Sequence, residues 1–197
     1  MSREDISDYL VHFTKGDTDE EAFGRLRTIL AEHRLLGSRE NIRGGHCCVC
    51  FSEAPLAALE HGLLNSSAYS RYSPFGILFT KTHIYSSGGR PAIYQGYEEY
   101  EGLPDTHNWR HVTYNPNGDP AIDFTWEREW RIRADEFRFD GSVAAAVVPN
   151  HIWADRLVRE HERDERFRIQ EYIQIMEEEI AIQYQQDFEW FIFTLRA

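Results

Sequence analysis

His12 and Thr14 lie two residues apart in Tyr9-Leu10-Val11-His12-Phe13-Thr14, a β-branched and aromatic run that reads as a strand, so both project from one face. A histidine and a hydroxyl on a rigid strand can position a polar ligand, although a lone strand histidine more often serves as a structural hydrogen-bonding residue. Glu127 and Glu129 form a second pair. Two carboxylates at i, i+2 on one strand face repel each other, which raises one pKa and suits acid–base work where that face lines a cleft. The plainer reading is a solvated face on which Glu127, Glu129, Arg131 and Arg133 pair along the strand, each exposed pair worth under about 1 kcal/mol, and pattern alone favours it. Other chemistries find less. Asp105, His107 and His111 match no ordinary metal-ligand spacing and read as surface residues. All three cysteines fall within His46-Cys47-Cys48-Val49-Cys50, where alternation sends successive side chains to opposite faces, so they cannot close a tetrahedron and read as small apolar strand residues. There is no Gly-x-Ser-x-Gly elbow and no phosphate-binding glycine loop ending in Lys-Ser/Thr.

The elements that must position these groups follow from periodicity. The strand over Tyr9 to Thr14 ends at Lys15-Gly16-Asp17. A helix follows, with Thr18 and Glu21 at capping-box spacing, Phe23, Leu26, Ile29 and Leu30 at helical steps, and Gly37 where a C-cap glycine belongs. Cys47 to Phe51 predicts a second strand, and Ser52 to Gly62 a short helix with Pro55 in its first turn. Pro74 to Thr80 and Pro91 to Tyr94 read as strands separated by Ser86-Ser87-Gly88-Gly89. Gln95 to Gly118 reads as a long loop or as one holding a short helix, and Ala121 to Arg133 as a strand with Trp126, Arg128, Trp130 and Ile132 on one face. Trp126 and Trp130 then read as core anchors rather than a base-stacking platform. Val143 to Val148 and Phe188 to Leu195 complete the strands, with a helix from His151 to about His161 capped by Asn150, and helical spacing at Ile169, Tyr172, Ile173 and Met176. The order is that of an α+β fold: one domain over 1–197 with a mainly antiparallel sheet and flanking helices.

Composition bounds the function. The chain has 197 residues, 42% of them hydrophobic, with 33 Asp and Glu against 21 Lys and Arg, a net charge of −12. That field disfavours indiscriminate binding to duplex DNA. It leaves a locally guided RNA, DNA or dinucleotide ligand open, because Arg25, Arg27, Arg34, Arg39 and Arg43 concentrate base in one stretch. No apolar run approaches the ~20 residues of a membrane span and the first residues lack a signal-peptide pattern, so a cytoplasmic chain with no membrane partner is expected.

Leu10-Val11-His12-Phe13-Thr14, Leu26-Arg27-Thr28-Ile29-Leu30, Val49-Cys50-Phe51-Ser52-Glu53-Ala54-Pro55-Leu56, Pro74-Phe75-Gly76-Ile77-Leu78-Phe79, Pro91-Ala92-Ile93-Tyr94 and Glu127-Arg128-Glu129-Trp130-Arg131 together resemble AbiGi-type abortive-infection proteins, from about Tyr9 to Arg133. The resemblance implies a bacterial anti-phage role beside a partner gene, with no defined reaction. A more distant similarity, to families of ADP-ribosyltransferase fold, implies cleavage of NAD and transfer of ADP-ribose to a protein or nucleic-acid acceptor. In that likeness His12 holds the nicotinamide-side ribose, with Phe13 and Thr14 beside it. Phe51-Ser52 stands against the nicotinamide, with Phe51 where many members have Tyr. Glu129 stabilises the oxocarbenium-like transition state and Glu127 orients the acceptor, while Arg43 and Arg71 are the candidates for the phosphates. The competing expectation is a non-catalytic binding module, a phage sensor or antitoxin-like partner, in which Glu127 and Glu129 pair with Arg131 and Arg133 and no pocket joins His12 to Glu129. A nuclease finds little support, since no carboxylate cluster has metal spacing.

Overall fold

A computed structural model describes residues 6–53 and 73–195. The helix expected from Ser52 to Gly62 and the candidate Arg71 fall largely or wholly outside them. Four helices are described: α1 (Asp19–Glu32), α2 (Lys81–Ser86), α3 (His151–Ile173) and α4 (Glu178–Ala181). The strands are β1 (Tyr9–Phe13), β2 (Arg34–Leu36), β3 (Cys48–Ser52), β4 (Gly76–Thr80), β5 (Arg90–Pro91), β6 (Ile93–Gln95), β7 (His111–Thr113), β8 (Glu129–Arg133), β9 (Glu136–Arg138), β10 (Ala144–Val148) and β11 (Phe191–Thr194).

Seven strands form one sheet in the order β11-β10-β4-β1-β3-β8-β5, and every neighbouring pair is antiparallel except β10 with β11. This is the α+β, mainly antiparallel architecture that the periodicity predicts. Two further pairs, β2 with β9 and β6 with β7, lie outside that sheet. The main core covers one face, where Leu10, Val49, Phe51, Ile77, Phe79, Trp130 and Ile132 meet Phe23, Leu26 and Leu30 of α1. Trp153 of α3 closes that layer against Phe75 and Phe23, with ring centroids 4.9 and 5.0 Å away. Val11, Phe13, Leu78 and Val147 are buried on the opposite face. Gly76 lets β4 approach β1, since a Cβ there would lie 2.5 Å from the His12 carbonyl.

Local signals decide the helix ends. Thr18 caps α1 by accepting from the Glu21 amide at 3.2 Å, and Asn150 caps α3 by accepting from Ile152 and Trp153. α1 nevertheless ends five residues before Gly37, because His33 takes the left-handed conformation at φ 54° and the chain turns directly into β2. α3 runs to Ile173 rather than stopping near His161, since its exposed polar residues keep good helix propensity. The strand expected over Ala121 to Arg133 begins only at Glu129. Thr125–Glu127 is a 3-10 turn and Arg128 is left-handed at φ 45°, so the pleat that would align Trp126 with Trp130, and Glu127 with Glu129, does not exist. The segment read as a loop contains the last residue of β6, all of β7 and two 3-10 turns. Among the described residues no helix is long and apolar enough to cross a membrane.

Candidate functional site

The three motif-bearing strands β1, β3 and β8 are neighbours in the sheet. Val11 stands opposite Ser52, and Ser52 opposite Glu129. Directly opposed residues share a face, so Val11, Ser52, Glu129, Cys50 and Arg131 point one way, while His12, Phe51 and Trp130 point the other. His12 and Glu129 are therefore on opposite faces.

His12 is half-buried where β1 and β3 separate after their single register pair. Its Nδ1 donates to the Cys50 carbonyl at 2.8 Å, and its ring meets Phe51 edge-on at 6.1 Å. Burial holds its pKa below the ordinary 6.5, the Cys50 hydrogen bond opposing that and Lys15 adding to it, so the neutral ring with its hydrogen on Nδ1 is the native form. Its neighbours Phe13 and Thr14 are core. Phe13 is packed with Val11 and Leu78, and the Thr14 hydroxyl lies 3.2 Å from both the Ala22 and Phe75 carbonyls. Phe51 is 2% exposed and stacked edge-on against Phe79 and Phe137, which leaves no ring face for a ligand. The Ser52 hydroxyl donates to the Glu127 carbonyl at 2.9 Å.

Glu129 is locked. Arg131 Nε and Nη2 donate to its two carboxylate oxygens at 2.9 and 3.1 Å, with side-chain exposures of only 13% for Glu129 and 4% for Arg131. Arg131 Nη1 is fastened in turn to the Trp109 and His111 carbonyls at 2.8 and 3.0 Å. Burial works against the Arg131 charge, but the adjoining carboxylate outweighs it and holds the guanidinium protonated. The solvated face of alternating charge expected from the pattern is thus a buried bidentate pair. The Glu129 amide donates to the Tyr94 hydroxyl at 2.8 Å, and burial pushes the Tyr94 phenol up to about 12. Burial, with the nearby Glu129 charge adding to it, also raises the Cys50 thiol well above its usual range, which removes any thiolate nucleophile there. Glu127 lies in the 3-10 turn, not beside Glu129 on a strand face.

Arg43 is held by a different set of contacts. Its guanidinium stacks 3.8 Å over the Tyr97 ring and donates to the Tyr97 carbonyl and the Thr113 hydroxyl, beside a surface cavity of 440 Å³ that Glu98 and Glu101 also line. Two carboxylates in that wall disfavour a phosphate. The basic stretch is also partly neutralised, since Arg27 pairs with Glu160 and Asp164 and Arg34 with Glu32 and Glu136. His111, expected on the surface, is 1% exposed, and its Nε2 donates to the Gly96 carbonyl at 3.1 Å. Among the described residues no group of three or more His, Cys, Asp or Glu is placed to hold a metal ion.

Sequence reasoning missed Glu53. Its carboxylate bridges Lys81 Nζ and Trp130 Nε1, both at 2.7 Å. Alternation through Val49, Phe51 and Glu53 carried the signal, because it continues the core-facing parity into a carboxylate at the strand end. No family model, curated protein or solved structure matches the chain.

Proposed function

We propose that this chain acts by binding, as a non-catalytic sensor or antitoxin-like component of an anti-phage abortive-infection system in the cytoplasm. The observation that carries the reading is the Glu129–Arg131 pair. A carboxylate held bidentately by a buried arginine, itself tied to two carbonyls, has both oxygens engaged by the fold and only 13% of its side chain exposed, which makes it a poor partner for a ribose hydroxyl. The resemblance of six short motifs to AbiGi-type proteins supplies the biological setting. The test is a thermal-shift and turnover experiment with NAD: a binding module of this kind neither consumes NAD nor gains melting temperature from it.

A second reading, NAD-dependent transfer of ADP-ribose with Glu129 as the key carboxylate, is favoured by one observation. His12, Phe51-Ser52 and Glu129 lie on three adjacent strands, with Ser52 opposite Glu129. The side chains do not fit NAD as they stand, because His12 faces away from Glu129 and Phe51 and Thr14 are buried. Turnover lost in both Glu129→Gln and His12→Ala would favour it over binding.

A further inference from the structure

We propose that the corner where α3 runs into α4 is a docking surface for a basic amphipathic segment of a partner protein, an inference that rests on the binding reading above and gives it a partner chemistry. Five large apolar side chains are exposed there: Ile173, Ile175, Ile180, Ile182 and Tyr184, with Ile175 retaining 78% of its accessible surface. Isolated exposed apolar residues are ordinary, but five within twelve consecutive positions concentrate exposed apolar surface at one corner of the fold.

The corner is held in shape. The Ile175 and Met176 amides both donate to the Tyr172 carbonyl at 2.9 Å, and those of Ile180 and Ala181 to the Glu177 carbonyl. Ala181 is fully buried beneath the turn. The segment after it is strapped to α3, with the Gln186 amide donating to the buried Glu165 carboxylate at 2.8 Å and Arg168 Nη2 to the Tyr184 carbonyl at 3.1 Å. The Tyr172 and Tyr184 rings meet at 5.6 Å. The apolar side chains therefore point outward from an ordered scaffold, so ordering them on binding costs little backbone entropy.

Charge selects the occupant. From Ile169 to Leu195 the chain has no Lys or Arg, but carries Glu171, Glu177, Glu178, Glu179, Asp187 and Glu189. Glu171, Glu177, Glu178 and Glu179 are exposed and form no ion pair among the described residues, whereas Glu160, Asp164 and Glu165 of α3 are paired with arginines. Apolar ground rimmed by unneutralised carboxylates repels anionic lipid and nucleic acid, and a second copy would bring the same charges against itself. A helix or strand with apolar residues on one side and Lys or Arg around them satisfies both features.

The experiment uses the full chain and a labelled synthetic leucine–lysine peptide patterned as an amphipathic helix, read by fluorescence anisotropy, beside a scrambled peptide of the same composition. The patterned peptide should bind about tenfold more tightly than the scramble, and more weakly as salt is raised. Ile175→Ser/Ile182→Ser should weaken it a further ~tenfold at unchanged melting temperature, since both side chains are exposed in the free protein. Equal binding of the two peptides, no effect of the double variant, adsorption to phosphatidylserine vesicles, or a dimer abolished by the same variant would each overturn the proposal. NAD consumption on the same sample reports on Glu129 alone, so failure of the binding reading is told apart from failure of this surface.

Discussion

Glu129 and Arg131 depend on each other, because a carboxylate and a guanidinium taken out of water together are stable only as a pair. Glu129→Ala would strand the Arg131 charge among the Trp109 and His111 carbonyls, and we expect a loss of about 3–5 kcal/mol in urea unfolding. Replacing both partners, Glu129→Leu with Arg131→Met, should cost clearly less than the single change, which is the signature of a structural pair rather than a catalytic acid. His12 makes a pH prediction. Its folded pKa lies below 6.5, so the unfolded chain takes up the proton first as pH falls; the stabilisation is complete above pH 6.5 and is lost as pH descends from there to the folded value. His111 is lowered by burial in the same sense and adds to the slope. Urea midpoints should fall from pH 7 to pH 5, and His12→Gln should flatten part of that fall.

At the scale of the element, β3 sets the account of Phe51. A ring that stacks on a ligand should accept Phe51→Tyr without loss, whereas a ring 2% exposed between Phe79 and Phe137 should not. Phe51→Ala should cost about 3–5 kcal/mol and Phe51→Tyr about 1–3, the latter from an unpartnered buried hydroxyl, both read from unfolding midpoints. β4 and β10 are legible in the sequence because their apolar runs are unbroken, and β1 because its β-branched and aromatic residues end at Lys15-Gly16-Asp17. The approach to β8 is not, since nothing in Thr125-Trp126-Glu127-Arg128 announces a 3-10 turn followed by a left-handed arginine. That single backbone conformation separates Glu127 from Glu129. The opposite facing of His12 and Glu129 depends on the Val11–Ser52 register, a long-range pairing that local periodicity does not encode. The burial of His111 escaped for a related reason: β6 and β7 pair in parallel across a segment rich in turn residues.

For the whole molecule, one sheet gathers strands from β1 near the start to β11 near the end, and α1 is clamped to α3 by Arg27 with Glu160 and Arg156 with Glu20. Such a chain should unfold in a single calorimetric transition, with calorimetric and van't Hoff enthalpies agreeing. The net charge of −12 is unevenly spent, with the acids facing the α1 arginines neutralised and those at the α3–α4 corner left open. Binding without turnover is tested most directly by following wild type and Glu129→Gln in NAD consumption and thermal unfolding together. Binding without turnover predicts no NAD consumption by wild type, no NAD-induced stabilisation, and a lowered melting temperature for Glu129→Gln. Consumption of NAD by wild type, lost in Glu129→Gln at an unchanged melting temperature, would contradict it.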